Sequence, residues 1–485
     1  MDPTFPQVRL ADVAATVGAE VRGEPDGTIR DASNDSREVP PGSLFFCIPG
    51  EQVDGHAFAQ HAVDAGAAAL VVDHPLAVAA PQLVVRSVRD AIGPMSAAVF
   101  GHPARDLTVI GVTGTNGKTT ITYLLESVFR AAGWRPGVVG TTGLRIDGTA
   151  SPLSHTTPEA PELHRAFARM RAEGVRAVAV EISSHALAQH RVDGLVVDAA
   201  IFTNLSQDHL DLHETMEWYF EAKRRLFTPA LARHGVVNAD DPWGRRLLQN
   251  PEISITSYGV EAVADFRAQD VSVVASGSTA IVEGVSVRTS LRGRFNVENV
   301  LAAMAAARVV GIATEVAAHG IAELGRVPGR MEPIDAGQDF TVVVDYAHTP
   351  DSIHNVLRGA RGSAEGRVIV VFGCGGDRDR AKRPMMGRTA AEDADLVIVT
   401  TDNPRSEDPL VIIDEITSGI PDGAAAIVEP DRATAIERAI DAAEPGDVVV
   451  IAGKGHETTQ EVDGRFLPFD DREVARTALA RRSSG

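Results

Sequence analysis

Apolar runs of strand length alternate with amphipathic helical stretches through the middle of the chain. The runs LTVIGV, VRAVAVEI, VDAAIFTN and GVVNAD each end in polar residues or glycine, and helical stretches such as PELHRAFARMRAEG lie between them. Continuous apolar strands that alternate with helices are typical of a parallel sheet covered on both faces. We therefore predict an α/β fold whose central domain, residues 105–330, is built on a parallel sheet.

The same alternation of apolar strands and helices restarts in the last third of the chain. It is weaker over the first 104 residues. From DFTVVVDYAHTPDS onward, the runs RVIVVFGCGG, ADLVIVTTDN and DVVVIAGKG predict a Rossmann-like α/β domain over residues 331–485, with ligands at the carboxyl ends of its strands. Residues 1–104 carry shorter runs, SLFFCIPG and AAALVVD, between Gly, Pro and Asp turns, and the Gly- and Pro-containing segment FGHPARDL follows. We predict a mixed α/β domain there and three domains in all.

Composition and charge narrow the class of protein. A chain of 485 residues exceeds the roughly 250–300 residues that one hydrophobic core supports. It has no apolar run of about 18 residues, and its first residues lack the pattern of a secretory signal, so we expect a cytoplasmic protein without membrane insertion. Two cysteines give no disulfide framework, and a net charge of -20 argues against a nucleic-acid partner. We expect a monomer.

The stretch VIGVTGTNGKTTITYLLES, residues 109–127, predicts a strand, a glycine loop and a helix in succession. Such a loop offers an anion free backbone N–H groups and the positive end of a helix dipole. Gly114 and Gly117 let the backbone approach a phosphate, Lys118 can reach the outer phosphates, and the hydroxyl of Thr119 can bind Mg²⁺. The loop is shorter than a Walker A motif, which would place a further glycine at Val112.

With this short loop, a series of further motifs resembles the Mur ligase family over nearly the whole chain. They occur in the family order: EISSHAL, FTNLSQDHLDLH, EAKRRLF, GRFNVENVLAAMAA, PGRME, VDYAHTPDS and AGKGHE. Folylpolyglutamate synthetase, a cousin of this family, is the alternative enzyme, and the stretch DNPR and the first domain count against it. A GTPase-type switch would need a full Walker A loop, and a non-catalytic scaffold would be expected to lose Lys118, Glu181 or His209.

The resemblance implies a ligase that uses ATP and Mg²⁺ to phosphorylate a carboxylate and then lets an amine displace the phosphate. Carboxylate, phosphate and oxyanion repel one another, so cations must gather them. The resemblance implies that Lys118, Glu181, His209, Lys223 and Arg330 are catalytic. For ATP it implies Gly114, Thr115, Asn116, Gly117, Lys118, Thr119, Thr120, Asn296, Asn299, Arg330 and Asp345, and for Mg²⁺ it implies Thr119, Glu181, His209 and Lys223.

Two of these residues have an ordinary alternative reading. His209 could be a loop histidine that caps a turn. Lys223 could be one of three basic residues on a solvated helix face, whereas the resemblance implies a lysine carbamylated by CO₂. Because that modification needs a neutral amine, it requires a buried lysine with a lowered pKa.

The implied acceptor is UDP-N-acetylmuramoyl-L-alanyl-D-glutamate, a precursor of peptidoglycan. The resemblance places its uridine end at Asn34, Ser36, Glu51, Gln52 and Val53, which could otherwise be ordinary turn residues. It places the muramoyl dipeptide at His155, Thr156, Thr157, Ser183, Gln189 and Arg191.

The stretch DNPRSEDP resembles the signature of the family members that add meso-diaminopimelate. The residues implied for this amine are Arg378, Asp402, Asn403, Pro404, Arg405, Gly453 and Glu457. A planar guanidinium at Arg405 would bind the distal carboxylate that lysine lacks. Alternatively, Arg405 forms a local salt bridge with Asp402 or Glu407.

Overall fold

The computed structural model describes residues 5, 7–50, 53–274 and 276–483, with the side chain of Ser483 excepted. It contains three α/β units, each built on its own sheet of five, eleven or six strands. In the described part of the chain, no helix has the length and apolar character needed to cross a bilayer.

The first unit is a five-stranded sheet in the order β2-β7-β6-β5-β4, with a separate pairing of β1 and β3. Strands β4 to β7 are parallel, and β2 pairs antiparallel with β7 at the edge. Its elements are β1 Val8–Arg9, α1 Leu10–Ala15, β2 Glu20–Arg22, β3 Thr28–Ile29, β4 Asp31–Ser33, β5 Ser43–Phe46, α2 Ala59–Asp64, β6 Ala69–Val72, β7 Gln82–Val84 and α3 Val88–Val99. The loops that follow β4, β5 and β6 therefore lie side by side at one edge of the sheet.

The central unit is an eleven-stranded sheet in the order β11-β10-β9-β12-β8-β13-β14-β15-β16-β17-β18. Its elements are β8 Thr108–Thr113, α4 Lys118–Ala131, β9 Pro136–Gly140, β10 Gly143–Ile146, β11 Thr149–Ser151, α5 Ala160–Ala172, β12 Ala177–Glu181, α6 Ser184–Ala188, β13 Ala199–Phe202, α7 Leu210–His213, α8 Met216–Arg224, β14 His234–Asn238, α9 Pro242–Gln249, β15 Ser254–Gly259, β16 Phe266–Val274, β17 Gly277–Val282, β18 Val285–Thr289, α10 Arg294–Val309 and α11 Thr314–Glu323. Buried apolar clusters cover both faces, as the continuous apolar strands predict.

The parallel sheet predicted for this unit is confirmed for the seven central strands, β9-β12-β8-β13-β14-β15-β16 in sheet order. Both edges of the sheet are antiparallel. At one edge β9, β10 and β11 form a meander, and at the other β16, β17 and β18 form a second one. Exposed polar residues interrupt the apolar positions of β16, so the strand does not read as a continuous apolar run. The sheet is therefore mixed, which the apolar runs alone do not predict.

The third unit is a six-stranded sheet in the order β19-β20-β24-β21-β22-β23, parallel except for β19. Its elements are β19 Glu332–Ile334, β20 Thr341–Asp345, α12 Pro350–Arg361, β21 Val368–Phe372, α13 Lys382–Asp393, β22 Leu396–Val399, α14 Pro409–Thr417, β23 Ala426–Val428, α15 Arg432–Ala442, β24 Val448–Ala452, β25 Thr459–Val462, β26 Arg465–Pro468 and α16 Asp471–Ser483. The hairpin of β25 and β26 stands apart from this sheet. The four apolar runs predicted for this unit form β20, β21, β22 and β24.

Candidate functional site

A cleft of about 740 Å³ lies where the central and third units meet. Its walls come from the loops after β8, β12 and β13, from the first turn of α10, and from the third unit's loop after β20. It is lined by many of the predicted residues: Thr115, Asn116, Gly117, Lys118, Thr119, Thr120, His155, Thr156, Thr157, Glu181, Ser183, Arg191, His209, Asn296, Asn299, Arg330, Asp345 and Arg378. The carboxyl ends of parallel strands thus bring together residues that are far apart in sequence.

The glycine loop between β8 and α4, residues 114–117, is named the phosphate loop, and it has the backbone geometry that its glycines predict. Gly117 caps α4 with φ 90°, and a Cβ atom at this position would collide with the amide oxygen of Asn299 on α10. The ammonium of Lys118 donates to the carbonyl oxygens of Gly114 at 2.9 Å and Thr115 at 2.8 Å. These contacts hold the lysine against the loop that starts the helix, where the dipole favours an anion.

Beside the loop, the hydroxyl of Thr119 lies between opposite charges. It donates to Glu181 Oε2 at 3.1 Å and accepts from Arg330 Nη2 at 3.0 Å. The other partner of Glu181 is Thr141, whose backbone N–H and hydroxyl both donate to the carboxylate at 3.0 Å. Buried carboxylate and hydroxyl oxygens at one point are the donor set that Mg²⁺ prefers.

Arg330 lies in the segment that connects the central and third units. Its guanidinium carbon lies 4.6 Å from the ring centroid of Tyr346, and its Nε is a buried donor without a hydrogen-bond partner in the described structure. The next residue, Met331, donates its backbone N–H to Asp345 Oδ2 at 2.6 Å. A buried donor without a partner among the described residues, on a guanidinium whose Nη2 contacts Thr119 at the start of α4, fits an anionic ligand.

His209 precedes α7 with a left-handed backbone, φ 56°, and its side chain makes no capping bond, so the turn-cap reading is wrong. Its Nε2 lies 3.3 Å from Asp208 Oδ2, and burial lowers the pKa of the imidazole well below its usual value. Asp208 also accepts from Lys382 of the third unit at 2.9 Å. Burial opposes the ionisation of Asp208, yet Lys382 and His209 hold the pKa of this carboxyl well below its usual range.

Lys223 lies behind the phosphate loop, away from the surface of the cleft. Its side chain is fully buried on α8, so the solvated-face reading is wrong. The nitrogen donates to Gly114 O at 2.9 Å and lies 4.6 Å from the ring centroid of Tyr219. Burial, with the nearby charge of Lys118, lowers the pKa of Lys223 well below its usual value, and no carboxylate of the described chain lies within 4 Å of it.

The two asparagines predicted for the adenine end lie one turn apart on α10. Asn299 Nδ2 donates to Asn296 Oδ1 at 3.0 Å, and Asn296 Nδ2 donates to the carbonyl of Arg292 at 2.7 Å. Between them on the helix, Glu298 accepts from Asn238 at 3.3 Å. Burial, followed by the charge of Asp240, raises the pKa of Glu298 to about 7.

The residues predicted for the muramoyl dipeptide form one wall of the cleft. Thr157 donates to the carbonyl of Glu181 at 2.7 Å and accepts from the backbone N–H of Ser183 at 3.0 Å. Gln189 lies behind the wall and accepts from Arg191 Nη2 at 2.6 Å, while Arg191 Nε lies 3.0 Å from a carboxylate oxygen of Glu159. The predicted residues His155 and Thr156 line the same wall.

The residues predicted for the uridine end are in the first unit and do not line this cleft. Asn34 and Ser36 are half-buried in the loop after β4, and Val53 is exposed in the loop after β5. These loops follow neighbouring parallel strands. Glu51 and Gln52 lie outside the described residues.

Most residues predicted for the amine lie together in a second group in the third unit. Arg378, also predicted for the amine, lines the cleft. Asn403 Nδ2 and Lys454 Nζ both donate to Glu457 Oε2 at 2.9 Å. Asp402 and Gly453 are in close approach, since a Cβ atom at Gly453 would collide with Asp402 Oδ2. Pro404 is buried in the same loop. The group therefore connects the loops after β22 and β24.

Arg405 takes a left-handed backbone, φ 51°, between this loop and the hairpin of β25 and β26. Its Nη1 donates to the carbonyl of Gly376 at 2.6 Å, and its Nε lies 3.2 Å from Glu461 Oε2. Among the described residues, the salt-bridge partner of Arg405 is Glu461 and neither Asp402 nor Glu407. Glu407 pairs with Arg383 instead. The positive charge of Arg405 is therefore partly offset by Glu461 without any ligand.

Sequence reasoning missed several side chains that shape the site. Thr141 holds Glu181, Asp208 and Lys382 connect two units across the cleft, and Asp351 of the third unit accepts from the predicted residue Asn116 at 2.8 Å. Asp208 is part of the motif FTNLSQDHLDLH, which was a signal for it. No spacing in the sequence points to the other contacts, because each joins residues from distant segments.

Three family models match the chain in succession. They are described as Mur ligase family, catalytic domain, over residues 28–106, Mur ligase middle domain over 112–307, and Mur ligase, glutamate ligase domain over 329–455. The chain is 46% identical over 460 residues to UDP-N-acetylmuramoyl-L-alanyl-D-glutamate–2,6-diaminopimelate ligase of Geobacillus thermodenitrificans, covering 92% of this chain and 94% of that relative.

Solved structures resemble the whole chain as well. A structure of a UDP-N-acetylmuramoyl-L-alanyl-D-glutamate–2,6-diaminopimelate ligase superposes with a TM-score of 0.70 at 35% identity, covering 99% of this chain and 100% of that one. The MurF ligase of Thermotoga maritima in complex with ADP superposes with a TM-score of 0.65 at 18% identity, covering 93% of this chain and 98% of that one. The second likeness concerns the fold alone.

Proposed function

This chain belongs to the Mur ligase family, and from that premise we propose how its cleft acts as the ATP-dependent ligase that joins meso-2,6-diaminopimelate to UDP-N-acetylmuramoyl-L-alanyl-D-glutamate. The bond forms at the D-glutamate carboxylate of the acceptor. The reaction is a step of peptidoglycan precursor synthesis. Mur ligases use ATP, and the cleft is the site for it.

One observation carries the proposal: the Thr119 hydroxyl bridges a buried carboxylate and a guanidinium at the N-terminal turn of α4. The γ-phosphate would lie between Lys118 and Arg330, whose positive charges offset the negative charge that gathers during transfer. The acceptor carboxylate attacks the γ-phosphorus, ADP leaves, and an acyl phosphate forms. The neutral amine of the donor then attacks the acyl carbon, phosphate leaves, and the amine loses a proton.

We propose Mg²⁺ at two positions, held by Thr119 and Glu181 and by His209 with a carbamylated Lys223. The ion would supply charge neutralisation to the phosphate oxygens when bound. Carbamylation joins the neutral Lys223 nitrogen to the carbon of CO₂ and releases one proton from that nitrogen. The buried setting of Lys223, without a carboxylate partner in the described chain, supports a neutral amine.

We propose that the remaining predicted residues bind the parts of the substrates that lie away from the reacting groups. Asn296, Asn299 and Asp345 would hold the nucleoside of ATP, and Thr156, Thr157, Ser183 and Arg191 would hold the muramoyl dipeptide. The loops after β4 and β5 of the first unit would hold the uridine end. We propose domain limits of 1–104, 105–330 and 331–485, and a cytoplasmic monomer.

Arg405 is proposed to bind the distal carboxylate of meso-diaminopimelate, with Arg378, Asn403 and Glu457 at the rest of that amino acid. Glu461 offsets part of the Arg405 charge, so rejection of lysine rests on the geometry of a guanidinium fork that lysine cannot engage. This is a weaker penalty than an unpaired buried arginine would impose.

The decisive experiment measures phosphate release with ATP, Mg²⁺ and the UDP-muramoyl dipeptide, comparing meso-diaminopimelate with L-lysine. We expect turnover with meso-diaminopimelate and at least tenfold less with lysine, since a lost charge-assisted bidentate contact costs on the order of 1.5–3 kcal/mol. Arg405→Met should reduce kcat/KM for meso-diaminopimelate, whereas Arg388→Met, exposed on α13, should not. Equal or faster turnover with lysine would refute the specificity.

A further inference from the structure

Two histidines and an aspartate meet in the first unit, in a different unit from the cleft. His56 belongs to the short helical turn after the β5 loop, and Asp73 and His74 follow β6 directly. One ligand atom from each of the three lies within 4.8 Å of the others. His56 Nε2 is 3.2 Å and His74 Nδ1 is 2.5 Å from the same oxygen, Asp73 Oδ1.

The buried histidine of this group is held in one orientation. His56 is almost fully buried, and its Nδ1 lies 2.6 Å from Asp54 Oδ1, which also accepts the backbone N–H of His56 at 3.0 Å. A carboxylate that accepts the Nδ1 proton leaves the Nε2 lone pair as an acceptor, which here takes a long hydrogen bond of 3.3 Å from the backbone N–H of Asp73 that a bound ion would replace. This arrangement of carboxylate and histidine is the one that orients metal-ligating imidazoles.

The two carboxylates of the group have histidines as their ionic partners. In the described chain, the ion pairs of Asp54 and Asp73 are with histidines and none is with lysine or arginine. Burial raises the pKa of the nearby Cys47 thiol to about 12, and the charges of Asp54 and Asp73 add to this effect. Two carboxylates beside two imidazoles offer oxygen and nitrogen ligands together with negative charge that a divalent cation balances.

We propose that His56, Asp73 and His74 form a binding site for a divalent transition-metal ion of the Zn²⁺ class. Two imidazoles and one carboxylate are a common set of three protein ligands for zinc, and a fourth position stays open to water. In a tetrahedral site the ligand atoms lie about 3.3 Å apart. His56 Nε2 and Asp73 Oδ1 are 3.2 Å apart, and the exposed side chain of His74, whose Nδ1 is 2.5 Å from the same oxygen, would have to move by about 0.8 Å to admit the ion. Mg²⁺ prefers oxygen ligands alone, so the site discriminates against the ion proposed for the cleft.

The position of the site suggests what the ion would do. Asp54 and His56 directly follow Val53, at the end of the loop proposed to hold the uridine end of the acceptor, and this part of the inference rests on the proposed function. A metal that joins the helical turn after this loop to the end of β6 would cross-link two neighbouring loops at the same sheet edge. The bound ion should therefore stabilise the first unit and lower the KM for the UDP-linked acceptor.

The test uses tag-free, full-length protein saturated with Mg²⁺ and ADP, so that the cleft is occupied. Zn²⁺ binding is measured by competition with a chromophoric chelator, and Co²⁺ is added as a spectroscopic substitute. We expect one ion per chain with the visible spectrum of tetrahedral Co²⁺. His74→Ala and Asp73→Asn should abolish binding, and Asp54→Asn should weaken it by about 10- to 100-fold.

His61→Ala is the matched control, because His61 is an exposed histidine on α2 of the same unit. It should keep full affinity, and circular dichroism of each variant verifies the fold. If wild type binds no stoichiometric ion, or if His74→Ala binds as tightly as wild type, the three residues form a hydrogen-bonded chain only. Phosphate release measured without added zinc tests the cleft separately, so failure of the metal site and failure of the ligase assignment are distinguishable.

Discussion

At the scale of the residue, Lys223 is the side chain whose chemistry depends most on its surroundings. It is buried behind the phosphate loop with a carbonyl and a ring as neighbours. Its neighbour Arg224 on the same helix pairs with Glu221 and Glu252 at the surface. The helix therefore turns one basic residue into the protein and the next toward solvent.

We expect Lys223→Ala to lose at least a hundredfold in phosphate release and to regain part of it with added short carboxylic acids. An acid that enters the vacated space can supply the oxygen ligands that the carbamate would supply. Arg224→Ala should keep wild-type activity. Full activity of Lys223→Ala, or loss that no acid rescues, would argue against a carbamate ligand.

Glu298 gives a pH dependence whose sign follows from its environment. Its pKa is raised to about 7 in the folded protein from 4.5, so the folded state binds the extra proton between these values. Stability should therefore fall as pH rises from about 4.5 to 7, and the loss should be complete above pH 7. Glu298→Gln should remove this loss and leave the protein more stable at pH 8, by about 3 kcal/mol.

Tryptophan fluorescence during thermal unfolding measures this effect in the right place, because Trp134, Trp218 and Trp243 all lie in the central unit. Wild type and Glu298→Gln should have similar midpoints at pH 5 and different ones at pH 8. An equal difference at both pH values would show that the glutamate does not titrate in this range.

At this scale the sequence predicts residues that belong to compact motifs. Lys118 and Thr119 are predicted by the glycine loop before α4 and Glu181 by the motif EISSHAL, which resembles the family, and the structure brings them together. Thr141, in the turn after β9, and Lys382, the first residue of α13, are not predicted, because neither lies in a recognised motif and each has a partner distant in sequence. Glu461, the partner of Arg405, lies on a polar hairpin strand and was missed for the same reason.

At the scale of the element, the helix α4 begins and ends with a left-handed glycine. Gly117 precedes it with φ 90° and Gly133 follows it with φ 71°. A Cβ atom at Gly117 would collide with Asn299, whereas nothing lies within 4 Å of one at Gly133. The backbone penalty is similar at both positions, and the packing penalty exists at one.

This pair gives a matched test of the phosphate loop. Gly117→Ala should weaken ATP binding at least tenfold, because the loop must move away from α10. Gly133→Ala should cost about 1 kcal/mol of stability and leave ATP affinity unchanged. Isothermal titration with a non-hydrolysable ATP analogue measures both, and equal affinities for the two variants would contradict the steric argument.

Elements themselves were predicted well where burial is two-sided. Each apolar run of the central and third units forms a strand, because both faces of a parallel sheet are covered and every position must be apolar. The edge strands β16, β17 and β18 alternate buried and exposed positions with irregularities, and the apolar-run pattern does not detect them.

At the scale of the whole molecule, the central and third units are connected by polar contacts that cross the cleft. Lys382 and Asp208 are both nearly fully buried in their ion pair, and Asn116 donates to Asp351 nearby. Removing one partner of a buried pair costs about 3–5 kcal/mol when the other charge stays buried. Separation of the units would expose Asp208 to water, so removal of the Lys382 ammonium should favour an open arrangement of the two units.

Lys382→Met should therefore increase the radius of gyration measured by small-angle scattering with bound ADP and should lower kcat at least tenfold. Arg380→Met is the control, because Arg380 is exposed and pairs with Glu415 within the third unit. An unchanged radius together with an unchanged kcat in Lys382→Met would mean that the contact does not hold the units together.

Arg330 lies in the connecting segment itself, and its neighbour Met331 is bonded to Asp345 of the third unit. A displacement of that unit that draws Met331 with it would therefore also shift the guanidinium relative to Thr119. Under the proposed function, a triphosphate bound while the units are apart would lack one of its two positive neighbours, and its hydrolysis by water would be slower than transfer in the closed arrangement.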